Sequence, residues 1–152
     1  MPQPPVADLT SHLGYWLRFV SNHVSHAFAR KLEADGVTVA EWAMLRELYG
    51  EQVLGPSRLA ERMGLTRGAI SKLGDRLIAK RLVKRTDRPD DARAHLLALT
   101  PAGRELVPRL AALADANDAE FFDHLSADER SIVESVLRTI VERRGLKAIP
   151  LT

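Results

Sequence analysis

Apolar residues recur three and four apart over the first part of the chain, at Leu13, Trp16, Leu17, Val20, Val24, Phe28 and Leu32. That spacing predicts one long amphipathic helix over residues 7–34, ended in ADGVT at Gly36. Thr38 and Glu41 stand three apart in a capping-box pattern, so a second helix is predicted to open at Thr38. Its expected buried face is Val39, Trp42, Leu45 and Leu48–Tyr49. Two glycines and a proline in GEQVLGPS interrupt the pattern, and a short helix, SRLAERM, follows and stops at Gly64. Thr66 then caps TRGAISKLGDRLIAKRL, where Ile70, Leu73, Leu77 and Ile78 share one face and Arg67, Gly68, Ser71, Lys72, Asp75 and Arg76 lie largely on others.

The period then changes. LVKRT and RAHLLALT read as two short strands joined by a loop of about five or six residues. Thr100-Pro101 restarts helix with Thr at the N-cap and Pro at the first helical position, where the missing amide hydrogen is no loss. This helix is expected to run to about His124 and to bend at Pro108, which removes one backbone bond. Ser126 and Glu129 make a second capping box. It opens a last helix whose wide apolar stripe is Ile132, Val133, Val136, Leu137, Ile140 and Val141, up to Gly145.

At 152 residues the chain holds one ordinary domain, or a small domain with an extension used for pairing. No apolar run approaches the roughly 20 residues needed to span a bilayer, and the start of the chain lacks the basic and apolar segments of a signal peptide. A cytoplasmic location and no membrane partner are expected. The absence of cysteine removes disulfides, thiolate zinc sites and thiol redox sensing together.

Charge changes the picture more than composition does. The net charge is +2, but residues 54–95 carry eleven Lys/Arg against five Asp/Glu, a net +6 that leaves −4 for the rest. Segregation of this kind points to an anionic partner for the middle of the chain.

A short helix, a Gly-containing turn, a second helix with a small and basic outer face, and a hairpin together make a winged helix-turn-helix. An α-helix fits the major groove of B-DNA, and short or basic residues on its N-terminal half let it approach base edges and phosphates. Thr66, Arg67, Gly68, Ser71 and Lys72 have that character, with Arg76 one turn further on. Ser57 and Arg58 stand at the start of the preceding helix, whose N-terminal amides favour phosphate. A hairpin tip can reach the adjacent minor groove, where Arg93, or Arg88 in its place, would sit and Asp91 would brace it.

VTVAEWAMLRELY, LAERMGLTRGAISKLGDRLIAKRLVKR and DARAHLLALTPAG resemble the MarR family of winged-helix transcription regulators. The family's wing pattern is met by Asp91, Arg93, Leu99, Thr100 and Gly103, and the resemblance covers roughly residues 10–143. It implies a mainly α fold of about six helices with a two- to three-stranded β-wing. The terminal helices, 7–34 and 101–145, would form a dimerisation domain around a winged helix-turn-helix at 38–100. It further implies a homodimer that binds pseudo-palindromic double-stranded DNA as a repressor, with Arg93 in the minor groove and Asp91 supporting it. Two positions depart from the family: Arg81, where a Gly commonly ends the recognition helix, so that another turn is expected to replace the left-handed cap; and Gly74, where an aliphatic residue is usual.

The dimer has its own argument. A first helix of about 26 residues would be about 39 Å long, too long to bury its stripe on a small winged-helix domain, and the last helix is apolar over a wide face. A second copy covers both. The family likeness also implies release from DNA by a small aromatic or phenolic effector in a cleft between the two parts, for which Tyr15, Trp16, Phe19, His23, Trp42 and Arg46 are the candidate lining. His23 and His26 have a metal-compatible spacing, but without cysteine or a nearby carboxylate no metal site is expected, nor any cofactor. With no glycine-rich phosphate loop and no Gly-x-Ser-x-Gly elbow the chain is not read as an enzyme. The alternative is a winged-helix protein-interaction module without specific DNA binding.

Overall fold

A computed structural model describes residues 2–50, 53–88 and 91–147, and for residues 87, 88 and 91–94 the backbone only. Its elements run α1 (Leu13–Glu33), α2 (Val39–Gly50), α3 (Pro56–Met63), α4 (Arg67–Ala79), β1 (Val83–Arg88), β2 (Asp91–Leu99), α5 (Pro101–Phe122) and α6 (Ala127–Arg144), after a short 3-10 turn at Leu9–Ser11. The expected mainly α fold with a β-wing is the observed one, with six α-helices among the described residues. β1 and β2 are antiparallel, with Val83 opposite Leu99 and Asp87 opposite His95. A third strand is reduced to one residue, Leu54, which exchanges two backbone bonds with Leu97 at 3.0 and 2.8 Å.

The core lies where the helix-turn-helix meets the base of the wing. Met44, Leu45 and Leu48 of α2, Leu59 of α3, Ile70, Leu73 and Leu77 of α4, and Val83, Leu97 and Leu99 of the strands are buried together. Leu32 from the end of α1 and Val107 and Leu110 from α5 close it. The long outer helices therefore serve the winged half at one end only. Toward their other ends, Leu13, Trp16, Leu17 and Val20 of α1 are exposed, and α6 has no buried residue.

Several sequence expectations are corrected. The first helix does not run from residue 7. The chain is extended at His12 (φ −100°, ψ 129°), and α1 spans 21 residues, about 32 Å rather than 39 Å. The indole Nε1 of Trp16 donates to the Thr10 carbonyl at 2.9 Å, tying the separate 3-10 turn to the first turn of α1. On α2, Leu45 and Leu48 are buried as expected, but Val39 and Tyr49 are exposed and Trp42 is half-buried; Met44 and Glu41 take the inner positions. The strands reach Arg88 and resume at Asp91, so the hairpin connection is shorter than five or six residues. α5 ends at Phe122 rather than His124, with Pro108 inside it.

The end of α4 is the sharpest correction. No other turn replaces the left-handed cap: Arg81 itself adopts it, at φ 62°. The amide of Leu82 bonds the Leu77 carbonyl at 3.0 Å, the same closure that Gly36, Gly64 and Gly145 make at other helix ends. A non-glycine residue there pays about 1–2 kcal/mol, so surrounding structure must hold it. Thr100 does so: its hydroxyl donates to the Arg81 carbonyl at 2.7 Å and accepts from the Gly103 amide at 3.1 Å, while its amide bonds the Leu82 carbonyl at 3.0 Å. Gly103 completes this joint. A Cβ on it would lie 2.1 Å from the Leu82 carbonyl oxygen, so the start of α5 packs on the α4–β1 corner at a distance only glycine allows.

Candidate nucleic-acid interface

The outer face of the helix-turn-helix is set by its buried one. Thr66 is extended and its hydroxyl accepts from the Ala69 amide at 3.1 Å, starting α4 with Arg67. Burying Ile70, Leu73, Gly74 and Leu77 leaves Arg67, Gly68, Ser71, Lys72, Asp75 and Arg76 exposed, as the pattern predicts. Thr66, named as a DNA contact, thus also has a capping role. Ser57 and Arg58 are exposed in the first turn of α3, which begins at Gly55 with no side-chain cap. The first-turn amides there are left to an outside acceptor.

Some cations of the molecule are held by carboxylates: Lys31–Glu120 at 2.6 Å, Arg109–Asp35 at 3.1 Å, Arg130–Asp118 at 2.8 Å, Arg138–Glu134 at 2.7 Å and, at the end of α3, Arg62–Glu47 at 3.4 Å. Arg58, Arg67, Lys72 and Arg76 make no such pair among the described residues. Lys72 and Arg76 are moreover four apart on one helix, a like-charge spacing that weakens the helix until an anion lies between them.

Two ion pairs that spacing cannot reveal hold α4 in place. Arg85 of β1 reaches Asp75 of α4, joining wing to helix. Lys80, just beyond α4, donates to both oxygens of Glu41 at 3.0 and 2.8 Å and to the Gly36 carbonyl at 2.6 Å. Glu41 is only 1 % exposed. Burial by itself would raise its carboxyl, but the Lys80 ammonium and the Thr38 amide and hydroxyl outweigh that and hold it below the usual carboxylate value. The capping box at Thr38 was legible in the sequence; the tie from Glu41 to a lysine 39 residues later was not.

At the wing, β2 carries Ala92, Arg93 and Ala94 opposite the single step from Asp87 to Arg88, because Asp87 faces His95 while Arg88 faces Asp91. Such an irregularity bends and twists a hairpin. The side chains of Arg88, Asp91 and Arg93, and hence the proposed brace, lie outside the described residues.

The six residues expected to line an effector cleft are not gathered into one cavity of the single chain. Tyr15, Phe19 and His23 form a ladder along α1, with centroids 6.0 and 5.1 Å apart, and Trp16 meets Tyr15 edge-on at 5.2 Å. Trp16 also lines an open groove of about 990 Å³ between α1, the end of α5 and α6. Trp42 packs edge-on against Phe28 at 6.3 Å. Arg46 lies near the Tyr49 ring, 5.8 Å from its centroid, with Arg104 5.2 Å from the same ring. Among the described residues there is no group of three His, Asp or Glu side chains able to hold a metal, and no helix long and apolar enough to cross a membrane.

The architecture is shared with characterised proteins. Residues 35–94 match the family model described as MarR family. The chain is 29% identical over 145 residues to the HTH-type transcriptional repressor MdtR of Bacillus subtilis, covering 95% of this chain and 84% of that one. The structure of an Escherichia coli MarR mutant complexed with operator DNA is 25% identical with a TM-score of 0.77, over 85% of this chain and 93% of that one. CouR from Rhodococcus jostii RHA1, solved bound to p-coumaroyl-CoA, is 25% identical with a TM-score of 0.79, over 95% and 100% of the two chains. A recognition helix with an unpaired basic face, carried beside a short β-wing in a fold common to these regulators, supports a winged-helix, DNA-binding transcription regulator similar to those of the MarR family.

Proposed function

We propose that this regulator is a homodimeric repressor that recognises a pseudo-palindromic operator through two copies of α4 and two wings, and that it leaves the operator when a small aromatic or phenolic effector binds. The observation that carries the reading is the outer face of the helix-turn-helix: Arg58 of α3 and Arg67, Lys72 and Arg76 of α4 are exposed together and make no ion pair among the described residues. Repression is supported by the likeness to MdtR, named a repressor. Pairing is supported by the bare apolar stripes of α1 and α6. A two-fold dimer offers its recognition helices about 34 Å apart, one turn of DNA.

On this reading Ser57, Arg58, Arg67 and Arg76 meet phosphates, Arg93 or Arg88 enters the minor groove, and Asp91 braces Arg93. Asp87 and Asp90 remain turn formers. The effector reading is supported by the structure of CouR with p-coumaroyl-CoA and by the aromatic ladder of α1, with Tyr15, Trp16, Phe19, His23, Trp42 and Arg46 as its contacts. The regulator acts in the cytoplasm, where its DNA is, and carries out no catalysis.

Selection of bound fragments from the source genome, followed by gel-shift titration at several salt concentrations, tests the core of the proposal. A two-half-site sequence bound with an affinity that falls steeply with salt is expected. Failure to retard any duplex at low micromolar protein would leave the protein-interaction module instead. Arg93→Ala is expected to weaken operator binding about 5- to 150-fold, mostly where the minor groove is A·T-rich; unchanged affinity would take the wing arginine out of the mechanism. A panel of phenols, carboxylates and aromatic thioesters that produces neither a thermal shift nor operator release would remove the effector.

A further inference from the structure

Three glycines of the helix-turn-helix and its wing joint sit inside helices, and the packing around two of them leaves a Cβ a close neighbour, prohibitively so at Gly103. A Cβ at Gly103 would strike a carbonyl, and one at Gly74 would touch Leu97 Cδ1 at 3.4 Å. Gly68 differs. A Cβ there would find only the Thr66 hydroxyl, 3.9 Å away, and its backbone is not left-handed. Nothing among the described residues calls for glycine at a helical position where alanine would be more stable. A glycine of this kind fits a backbone that something outside must approach closely.

The direction of Gly68 says what that is. At about 100° per residue, Gly68, Lys72, Asp75 and Ala79 fall within about 30° of the line opposite the buried face of α4, while Ser71 and Arg76 stand about 70° away and Arg67 about 110°. The central row of a helix seated in the major groove faces base edges, and the flanks face the two phosphate backbones. In the central row Asp75 is taken by Arg85 and Ala79 has no donor. Lys72 is the one long donor left in it among the described residues. Helical side chains lean toward the N-terminus, so Lys72 leans over Gly68, one turn back, where no side chain stands in its way.

We propose that Gly68 and Lys72 form the base-reading element of this protein, the bare backbone at Gly68 lying against the base edges and the Lys72 ammonium donating to O6 and N7 of a guanine in each half-site. This rests on the DNA-binding reading above, and it makes Lys72 a reader of sequence, in contrast to the phosphate contacts of Arg67 and Arg76 on the flanks.

Selection from a random duplex library with the wild type, Lys72→Ala and Lys72→Gln tests it. The wild type is expected to enrich guanine at one position of each half-site, K72A to make that position degenerate, and K72Q to move it toward adenine, whose N6 and N7 suit an amide. On the selected site K72A should lose about 10- to 100-fold, whereas R67A and R76A should weaken operator and random DNA alike and flatten the salt slope by about one unit each. Gly68→Ala should raise Tm by about 2–4 °C and still bind the operator more weakly. Guanine retained in the K72A selection, or G68A binding the operator as the wild type does, overturns the proposal while leaving the regulator reading intact. A wild type with no sequence preference at all sinks both.

Discussion

Helices α4 and α6 are both amphipathic, yet each leaves unpartnered what the other satisfies. α4 buries Ile70, Leu73 and Leu77 and leaves Arg67, Lys72 and Arg76 without carboxylates among the described residues. α6 does the reverse. Its mid-helix arginines are paired, Arg130 with Asp118 and Arg138 with Glu134, while Ile132, Val133, Val136, Leu137, Ile140 and Val141 are all at least 41 % exposed. An exposed stripe of that extent lacks an apolar cover, and an exposed row of unpaired cations lacks an anion. The two helices thus leave two surfaces of different chemistry uncovered, which the proposed function assigns to a second copy of the chain and to DNA.

The largest effect is expected from spoiling the apolar side of this comparison. Leu137→Glu places a carboxylate in the groove between α1 and α6, and two-fold symmetry doubles its cost, so dimerisation should weaken by about 4 kcal/mol or more. Sedimentation at micromolar concentration should show monomer, with operator affinity falling in parallel. A variant that stays dimeric would mean that α6 is covered by something else.

Next comes the joint that holds the basic side in place. Gly103→Ala drives a methyl against the Leu82 carbonyl and should destabilise the protein by about 3 kcal/mol in urea titration. The backbone of α5 would have to move off the α4–β1 corner, so unchanged stability would show that the corner yields. α6 lies outside this joint, and its helical signal should persist after the winged half has unfolded.

Glu41→Gln should cost about 1–2 kcal/mol at neutral pH, a figure held down because Lys80 is 39 % exposed and water can take over its ammonium. The pH dependence has a definite sign. The folded carboxyl lies below its usual value, so its contribution is complete above the usual carboxylate range and is lost as pH falls through the folded value. Acid titration of stability should therefore fall more steeply for the wild type than for E41Q, and parallel curves would mean that the pair contributes nothing. The smallest effect is a gain. Arg81→Gly should stabilise the fold by about 1 kcal/mol, because the left-handed position no longer carries a Cβ; a loss would mean that the arginine side chain is itself needed.

Much of the local structure was legible. The capping hydroxyls of Thr38, Thr66, Thr100 and Ser126 all stand where the sequence placed them, because a cap is a contact between residues three apart. The break before α1 was hidden, since an apolar period runs through a 3-10 turn without changing phase, and the bond from Trp16 to Thr10 leaves no mark in it. The inward side of α2 was misplaced because Glu41 looks like a surface residue until Lys80 arrives from α4. Of the proposed interface, the exposure of Arg58, Arg67, Lys72 and Arg76 follows from the apolar pattern of α3 and α4. Nothing in the spacing showed that Asp75 is spoken for by Arg85, which leaves Lys72 alone at the centre of the face.

Helix periodicity, caps and the concentration of positive charge in the middle of the chain are properties of neighbours, and the sequence alone determined them. Tertiary packing decided which cations would find carboxylates, that Arg81 would hold a left-handed turn, and that Gly103 is required while Gly68 is not. Those outcomes depend on groups brought together from tens of residues apart. In each, the cost of strain, burial or an unpaired charge is met or left unmet only when the chain has folded.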